Sequence, residues 1–406
     1  MNKLFEPVRE AVEQSLPEGM PFIAVMDDTM ARKRGRKVKG AGWRRDPLGP
    51  PFHTNFVWSQ RFLQTAAILP EAGLSSRARA IPIEMRHCPT PKRPGKEATA
   101  QDWAQYRLDE QAMRITAQGL DSIRKLRAQL DAQPKGRDRQ LVVAVDGGYT
   151  NGTLFRNIPE RTGLIGRVRK DAKLYSPPQS SANGRGRRRI YGDLMPTPEQ
   201  IRQDDSIPWQ TVEAYAGGKV HSFDVKIVGP VRWKGAGGRD MTLVVIRPLA
   251  YRPKKGSKLL YRQPAYLVCT DPTLPIEIIL QAYLWRWEVE VTFREEKTIL
   301  GLGEAQVRTE PTVANVPTFI AAIYAYLHLA AASAGLRPPV LPKPKWQTPK
   351  PNDRCTTTNL IGLMRTELWG RALRVNFGGF ATRLDCDLKP PKILNNAASA
   401  VIYAQR

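Results

Sequence analysis

Two short apolar runs in this chain are each followed at once by acidic residues. The run Phe22–Met26 leads into Asp27 and Asp28, and the run Leu141–Val145 leads into Asp146. Unbroken apolar runs of this length, bounded by polar residues, are typical of strands that are buried on both faces. The pattern therefore predicts two buried strands, each of which ends on a carboxylate.

Other stretches predict further strands and helices. Strand patterns cover 52–58 and 62–69, and helical spacing of apolar residues covers 101–133, which ends at a Pro-Lys-Gly turn. Short apolar pieces alternate with Gly, Pro and basic clusters through 160–274, which predicts a mostly β segment. Helix returns at Pro275, a residue suited to a first helical turn. The chain therefore has the mixed content of an α/β protein.

These patterns divide the chain into five predicted segments. They are a short N-terminal helix at 1–20, a first α/β part at 21–159, a β-rich insertion at 160–274, a second α/β part at 275–336, and a proline-rich linker with a mainly helical C-terminal segment at 337–406. The longest apolar stretch, Thr318–Ala334, carries His328 and is shorter than the ~20 residues that span a membrane. We interpret it as a buried core helix and expect no membrane partner.

The charge of the chain indicates a polyanionic partner. Its 406 residues include 63 Lys and Arg against 38 Asp and Glu, for a net charge of +25. Such an excess favours nucleic acid, because cationic side chains release the counterions that condense on phosphates. The four cysteines are far apart and form no CxxC motif, which argues against a zinc site or a disulfide framework. The N-terminus lacks a basic-then-apolar leader, so we expect a cytoplasmic, nucleoid-associated protein.

A four-residue signature links the charge to chemistry. Tyr283, Arg286, Glu290 and Lys297 are spaced as Y-x2-R-x3-E-x6-K. At about 100° per residue, these positions fall within roughly 60° of one another on a helix. A carboxylate can bind a metal ion, while arginine and lysine neutralise a phosphate chain beside it. The signature therefore predicts metal-dependent chemistry on nucleic acid.

The order of these acidic residues resembles that of a known family. Asp28, Asp146 and Glu290 resemble the DDE triad of the transposases of cut-and-paste bacterial insertion sequences, and the signature resembles the YREK motif of their hairpin-forming subgroup. The resemblance spans roughly 20–335. It implies an RNase H-like core, a mixed sheet flanked by helices, that is interrupted by a β-rich insertion. Asp27 is the alternative first ligand, but the resemblance favours Asp28.

The resemblance also implies a reaction and its participants. Asp28, Asp146 and Glu290 would bind two Mg²⁺ ions, or Mn²⁺ in their place. A metal-activated water would nick double-stranded transposon-end DNA and free a 3′-OH, which forms a hairpin before the end is joined to target DNA. A homodimer would act on the paired ends. The phosphate contacts would come from the other three signature residues, which are Tyr283, Arg286 and Lys297.

Further cations are candidates for contacts with DNA. Arg34, Arg36 and Lys37 lie in a basic loop directly after the first acidic strand, and Arg294 lies within the signature helix. The loop is either a DNA-facing surface or a solvated one. Its position next to the first carboxylates favours the DNA-facing role.

One departure from the family leaves a second hypothesis open. Relatives carry a helical region before the first catalytic Asp that recognises transposon ends, whereas only 27 residues precede Asp28 here. The alternative to an active transposase is an N-terminally truncated or domesticated form, which binds DNA or a partner transposase as a non-cleaving inhibitor. A nicking assay with transposon-end DNA separates the two.

Overall fold

One large mixed sheet with helices on both faces forms the body of the protein. The computed structural model describes residues 2–46, 49–50, 52–179, 189–254, 256–336 and 354–373. The strands are β1 Phe22–Arg32, β2 Gly42–Arg45, β3 Phe56–Pro70, β4 Ala78–His87, β5 Leu141–Val145, β6 Thr162–Arg167, β7 Leu174–Tyr175, β8 Gln210–Ala216, β9 Lys219–Trp233, β10 Asp240–Ile246, β11 Ala250–Tyr251, β12 Leu260–Tyr261 and β13 Ala265–Cys269. The helices are α1 Glu6–Ser15, α2 Ala100–Ala112, α3 Ile115–Asp131, α4 Pro134–Asp138, α5 Gly152–Asn157, α6 Pro198–Gln203, α7 Ile276–Trp285, α8 Trp287–Thr298, α9 Glu310–Ser333 and α10 Thr357–Leu373.

The first half of the sheet has the strand order of an RNase H-like core. Its order is β4-β3-β1-β5-β6. β1, β3 and β4 pair antiparallel, whereas β1, β5 and β6 run parallel to one another. The predicted fold class is confirmed: a mixed sheet flanked by helices, followed by a helical C-terminal segment.

Most strands of the β-rich stretch continue the same sheet, whereas β11 and β12 pair with each other in a separate two-stranded sheet. β13 pairs with β6, β10 with β13, and β9 with β10, while β7 and β8 both pair with β9. The catalytic-type strands and the inserted strands are therefore joined by an unbroken ladder of hydrogen bonds.

Both faces of β1 and β5 are covered, which explains their unbroken apolar sequences. Phe22, Ala24 and Met26 belong to the hydrophobic core beneath α3, and Ile23 and Val25 belong to the core beneath α7 and α8. All five side chains are buried. Each pair of neighbouring residues thus contributes apolar area to two different cores, so no position in the run tolerates a polar side chain at low cost.

Two strands differ from their predicted form. The stretches 52–58 and 62–69 are not two strands, because one strand, β3, begins at Phe56 and runs unbroken to Pro70, while 52–55 lie before it. Its apolar pattern is interrupted by Ser59 and Gln60, which are nevertheless buried; the Gln60 amide donates to the Lys39 carbonyl at 2.9 Å. The sequence does not predict β4, because a strand interior rarely contains proline and β4 contains Pro82. That proline sits at a register irregularity opposite β3, where a missing N–H costs little.

The helices also refine the predictions. The helix predicted over 101–133 is two helices, α2 and α3, separated at Met113–Arg114. α9 is long and apolar enough to cross a membrane by length and composition alone, but over half of its most apolar window is buried inside the protein. Its Thr318 hydroxyl donates to the Met85 carbonyl of β4 at 3.3 Å. α9 is therefore a core helix, as interpreted from the sequence.

Helix α1, near the start of the chain, and helix α10, near the end of the described residues, both pack on the rest of the fold. In α1, Val8 and Val12 are fully buried against the core beneath α3, so the predicted N-terminal helix is an integral part of the fold. α10 packs on α9 through Leu360, which is also fully buried. The predicted linker at 337–353 and the stretch 374–406 lie outside the described residues.

Candidate active site

Asp27 and Asp28 lie on opposite faces of the sheet. The parallel pairing of β1 with β5 stops at Met26 opposite Val145, so Asp27 and Asp146 come next, where the two strands part. Side chains alternate along a strand, which puts Asp27 on the face covered by α7 and α8 and Asp28 on the face covered by α3. The sequence predicted that β1 ends at these aspartates. Instead, β1 continues to its last residue, Arg32, paired with β3 alone.

The Asp27 carboxyl is a buried acid beside a second acid. Burial, and then the negative charge of Asp146, raise the pKa of Asp27 from 3.8 to about 7. The Asp28 backbone N–H, which donates to Asp27 Oδ1 at 2.8 Å, and the Arg286 guanidinium act in the opposite direction. Two acids placed so that one holds its proton near neutral pH form a site that attracts a cation.

Arg286 joins the first strand to the signature helix. Its Nη1 lies 3.4 Å from Asp27 Oδ2, and its Nη2 lies 3.2 Å from Glu290 Oε1. The guanidinium is largely buried, and its Nε has no hydrogen-bond partner among the described atoms. One arginine therefore holds the carboxylates of Asp27 and Glu290 on either side of a single positive charge.

The signature spans two helices rather than one. α7 ends and α8 begins at Arg286, whose backbone stays in the right-handed helical region at φ −51° and ψ −32°. The Val289 N–H donates to the Arg286 carbonyl at 3.2 Å, a three-residue rather than four-residue step. From this junction the Arg286 side chain reaches β1, where it contacts Asp27.

The four signature residues separate into three near the carboxylates and one farther away. Arg286 lies 5.9 Å from the centroid of the Tyr283 ring, and burial raises the pKa of that phenol, with Arg286 and Asp146 among its charged neighbours. Lys297 instead lies beside Glu296 and Arg32, and burial lowers its pKa. Arg32 is five residues beyond Asp27 on β1, a distance of about 16 Å at roughly 3.3 Å per residue.

Asp28, the predicted first ligand, is engaged elsewhere. Its two carboxylate oxygens accept hydrogen bonds from Arg61 Nε at 2.6 Å and Arg61 Nη2 at 2.8 Å. The Tyr149 hydroxyl donates to Asp28 Oδ1 at 2.9 Å. The structure thus places Asp27, and not Asp28, with Asp146, Arg286 and Glu290. The physical reason is the alternation of side chains along β1, because only every second residue faces α8.

Asp146 is fixed by the turn that follows it. Its Oδ1 accepts the backbone N–H of Gly148 at 2.9 Å and that of Tyr149 at 3.2 Å. The Thr150 hydroxyl donates to the Asp146 carbonyl at 3.0 Å. Tyr149 therefore connects both acidic positions, since its N–H holds Asp146 and its hydroxyl holds Asp28 on the opposite face.

A family comparison agrees with this arrangement. A family model described as DDE superfamily endonuclease matches residues 3–234, more than half of the chain. The chain belongs to the DDE superfamily endonucleases. No curated protein matches it. The matched stretch contains Asp27, Asp28 and Asp146 but stops before α7 and α8, so it does not include Glu290.

The carboxylates of this DDE endonuclease fit a divalent ion in chemistry and charge. DDE endonuclease domains generally use divalent metals, and carboxylate oxygens are the ligands that Mg²⁺ and Mn²⁺ prefer. Burial and, second to it, repulsion by Asp146 raise the pKa of Asp27, and a cation beside Asp146 would relieve that repulsion. Among the described residues, no group of three or more His, Cys, Asp or Glu side chains is arranged to hold a metal ion. The Glu290 carboxylate is instead paired with Arg286 at 3.2 Å.

Four of the predicted DNA contacts outside the signature are exposed to solvent. Arg34, Arg36 and Lys37 are exposed in the loop between β1 and β2, and Arg294 is exposed on α8. Arg36 also stacks on two tryptophan rings, a contact that the sequence did not predict. All four cations are therefore placed where a phosphate chain can reach them.

Proposed function

We propose that the chain is a transposase that cleaves transposon-end DNA, with Asp27, Asp146 and Glu290 as its metal ligands. The observation that carries the proposal is the Arg286 guanidinium, which contacts Asp27 and Glu290 together beside Asp146. It supports a shared site for carboxylates from two strands and a helix. The family assignment to DDE superfamily endonucleases supports a transposase-type nuclease that acts on DNA.

Each residue has a distinct part in this proposal. Asp27, Asp146 and Glu290 would hold Mg²⁺ or Mn²⁺, which supplies an activated water and stabilises the leaving oxygen of a phosphodiester. Arg286 and Tyr283 lie beside these carboxylates, where they contact phosphates of the cleaved strand. Asp28 holds β1 to Arg61 and Tyr149, so its role is structural.

Finer features of the proposal follow the resemblance. They are membership of the YREK subgroup, a hairpin intermediate, strand transfer into target DNA, a homodimer on paired ends, and a place in the cytoplasm on the nucleoid. Lys297 and Arg294 extend the phosphate contacts along α8, away from the carboxylates. The segment 160–274 acts as the β-rich insertion of that family, although all of its strands except β11 and β12 share the sheet of the catalytic core.

A nicking assay tests the assignment of the ligands. Double-stranded DNA that carries the inverted repeat of the element is incubated with protein in Mg²⁺ or Mn²⁺, and the freed 3′-OH strand is resolved on a denaturing gel. We expect Asp27→Asn, Asp146→Asn and Glu290→Gln to abolish cleavage. Asp28→Asn, the matched neighbour of Asp27, should still cleave at temperatures below its melting point.

Two outcomes would count against the proposal. Cleavage that survives in Asp27→Asn and vanishes in folded Asp28→Asn would return the first ligand to Asp28. Wild-type protein that binds the repeat but never cuts it in either ion would favour the alternative, a domesticated or truncated transposase that acts as a non-cleaving inhibitor.

A further inference from the structure

An aromatic surface at the end of the β1–β3 hairpin is not used by the proposed catalytic site. Trp43 on β2 pairs directly with Trp58 on β3, and the two rings meet edge to face with centroids 5.7 Å apart. Trp43 is 55% exposed, unusual for so large an apolar ring. The Arg36 guanidinium lies 4.9 Å from the Trp43 centroid and 5.4 Å from the Trp58 centroid.

The basic loop is held on these rings. The Trp58 indole N–H donates to the Gly35 carbonyl at 3.0 Å, which fixes the loop next to Arg36. Arg34, Lys37 and Lys39 are exposed in the same loop. In the part of the chain that the structure describes, these loop cations belong to no ion pair, so their charge is available to an anionic partner.

The surface faces the same side of the sheet as the candidate carboxylates. Asp27 pairs with Gln64 on β3, and cross-strand partners point to the same face. Trp58 is six residues before Gln64 and shares its face, at about 20 Å along the strand at roughly 3.3 Å per residue. Trp43, its direct partner, points the same way. Lys297 lies near Arg32, the last residue of β1, which pairs with Ser59 next to Trp58.

We propose that Trp43, Trp58 and Arg36 form a stacking platform for an unpaired base of the bound DNA. The proposal rests on the proposed function, because it assumes that a DNA strand follows α8 away from the carboxylates. A span of about 20 Å corresponds to about six steps of B-DNA at 3.4 Å per step. Exposed indole rings stack on the flat faces of bases. In a duplex these faces are covered by the neighbouring base pairs, so only an unpaired base offers a free face.

The charged loop explains why the partner is nucleic acid rather than a protein surface. The Arg36 guanidinium contacts the two indole rings and can make a cation–π contact with a base stacked on them. Aromatic rings combined with arginine are typical of sites for single-stranded nucleic acid. The neighbouring cations supply phosphate contacts on both sides of such a base. Base–aromatic stacking contributes about 1–3 kcal/mol per base, which corresponds to an affinity change of about 5- to 150-fold.

Binding measured in EDTA tests the platform independently of cleavage. The probes are a fluorescent single-stranded oligonucleotide and the fully paired duplex of the same sequence. We expect Trp43→Ala to weaken single-strand binding about 5- to 150-fold and to change duplex binding less than about twofold. Arg36→Ala, a loop substitution with little risk to folding, should weaken single-strand binding by about two- to fivefold.

Trp103 provides the matched control. It lies on α2 beneath Arg93, whose guanidinium is 5.5 Å from the ring centroid, but α2 packs on α3 at the opposite face of the sheet. Trp103→Ala should leave both affinities unchanged. An unchanged single-strand affinity in folded Trp43→Ala, or an equal loss on both probes, would overturn the platform. A protein that never cleaves yet shows the Trp43-dependent difference would contradict the proposed function alone.

Discussion

Replacing Asp27 with asparagine should raise the stability of the metal-free protein, although it abolishes cleavage. Burial and Asp146 raise the pKa of Asp27 from 3.8 to about 7. Because the folded-state pKa is the higher one, the stability that comes from protonated Asp27 is fully present below pH 3.8 and is lost as pH rises through 7. At 1.36 kcal/mol per unit, the loss above pH 7 is about 4 kcal/mol.

Asparagine removes this cost while it keeps the local contacts. Its side-chain oxygen still accepts the Asp28 N–H, and Arg286 still has Glu290. Unfolding entropy of about 2.1 cal/mol/K per residue gives about 0.85 kcal/mol/K for this chain. The melting temperature of Asp27→Asn should therefore exceed that of wild type by up to about 5 °C at pH 8 in EDTA, and by less than half of that at pH 5.

The neighbouring substitution should act in the opposite direction. Asp28→Asn loses the charge that Arg61 holds through two short hydrogen bonds. Breaking a fully buried pair costs about 3–5 kcal/mol. The Asp28 and Arg61 side chains are 17% and 30% exposed, so we reduce the expected cost to about 2 kcal/mol, or about 2 °C in melting temperature.

Differential scanning calorimetry of both variants measures the two signs together. The pair is informative because the two residues are adjacent and the substitutions are identical, so a general effect of losing a carboxylate cancels. If both substitutions lowered the melting temperature in EDTA, Asp27 would not be a buried, repelled acid, and the proposed cation site would lose its electrostatic basis.

The remaining predictions concern the signature and the buried acids. Arg286→Ala and Lys297→Ala should weaken binding to transposon-end DNA, and each should reduce the slope of log affinity against log salt by about 0.9. Mn²⁺ binding, followed by calorimetry, should persist in both variants. Loss of metal binding with normal DNA binding would contradict the proposed roles of these residues as phosphate contacts. Burial raises the pKa of Glu296 to about 8. The stability that comes from protonated Glu296 is therefore present below pH 4.5 and is lost as pH rises through 8. Glu296→Gln should raise the melting temperature at pH 9 but not at pH 4, and equal shifts at both pH values would show that Glu296 is not a buried acid with a raised pKa. Tyr149→Phe removes one hydrogen bond to Asp28 and should cost about 1 kcal/mol with cleavage retained, whereas loss of cleavage in the folded variant would give that hydroxyl a direct part in the reaction.

The sequence identified the elements whose apolar residues are buried on two faces. β1 and β5 stood out because neither face admits a polar residue, and α9 because most of its surface is apolar. β3 was divided in two by Ser59 and Gln60, whose polar groups are buried but hydrogen-bonded by other parts of the chain. The sequence does not indicate β4, because its Pro82 argues against a strand interior. The proline is tolerated here because the pairing with β3 is irregular at that point. Such compensation depends on tertiary partners, which local patterns do not contain.

The candidate site shows the same division between local and long-range information. The spacing of Arg286 and Glu290 predicts that they meet, since residues four apart on a helix are neighbours. The choice between Asp27 and Asp28 depends on which face of β1 the signature helices cover. That is decided by the packing of residues more than 250 positions away. The break between α7 and α8 was equally hidden, because Arg286 keeps helical dihedrals and no Gly or Pro marks it.

Under the proposed function, the position of Arg286 would couple the binding of metal ions to the binding of DNA. While it pairs with Asp27 and Glu290, the arginine is withheld from phosphate, and the carboxylates are withheld from metal ions. Occupancy of the site by ions would release the guanidinium towards DNA, and DNA that draws the guanidinium away would free the carboxylates. Thermodynamic reciprocity requires each ligand to favour the other by the same factor. Under the proposed function, such a protein would bind metal more weakly without DNA than with it, which would restrain the nuclease on DNA that it must leave intact.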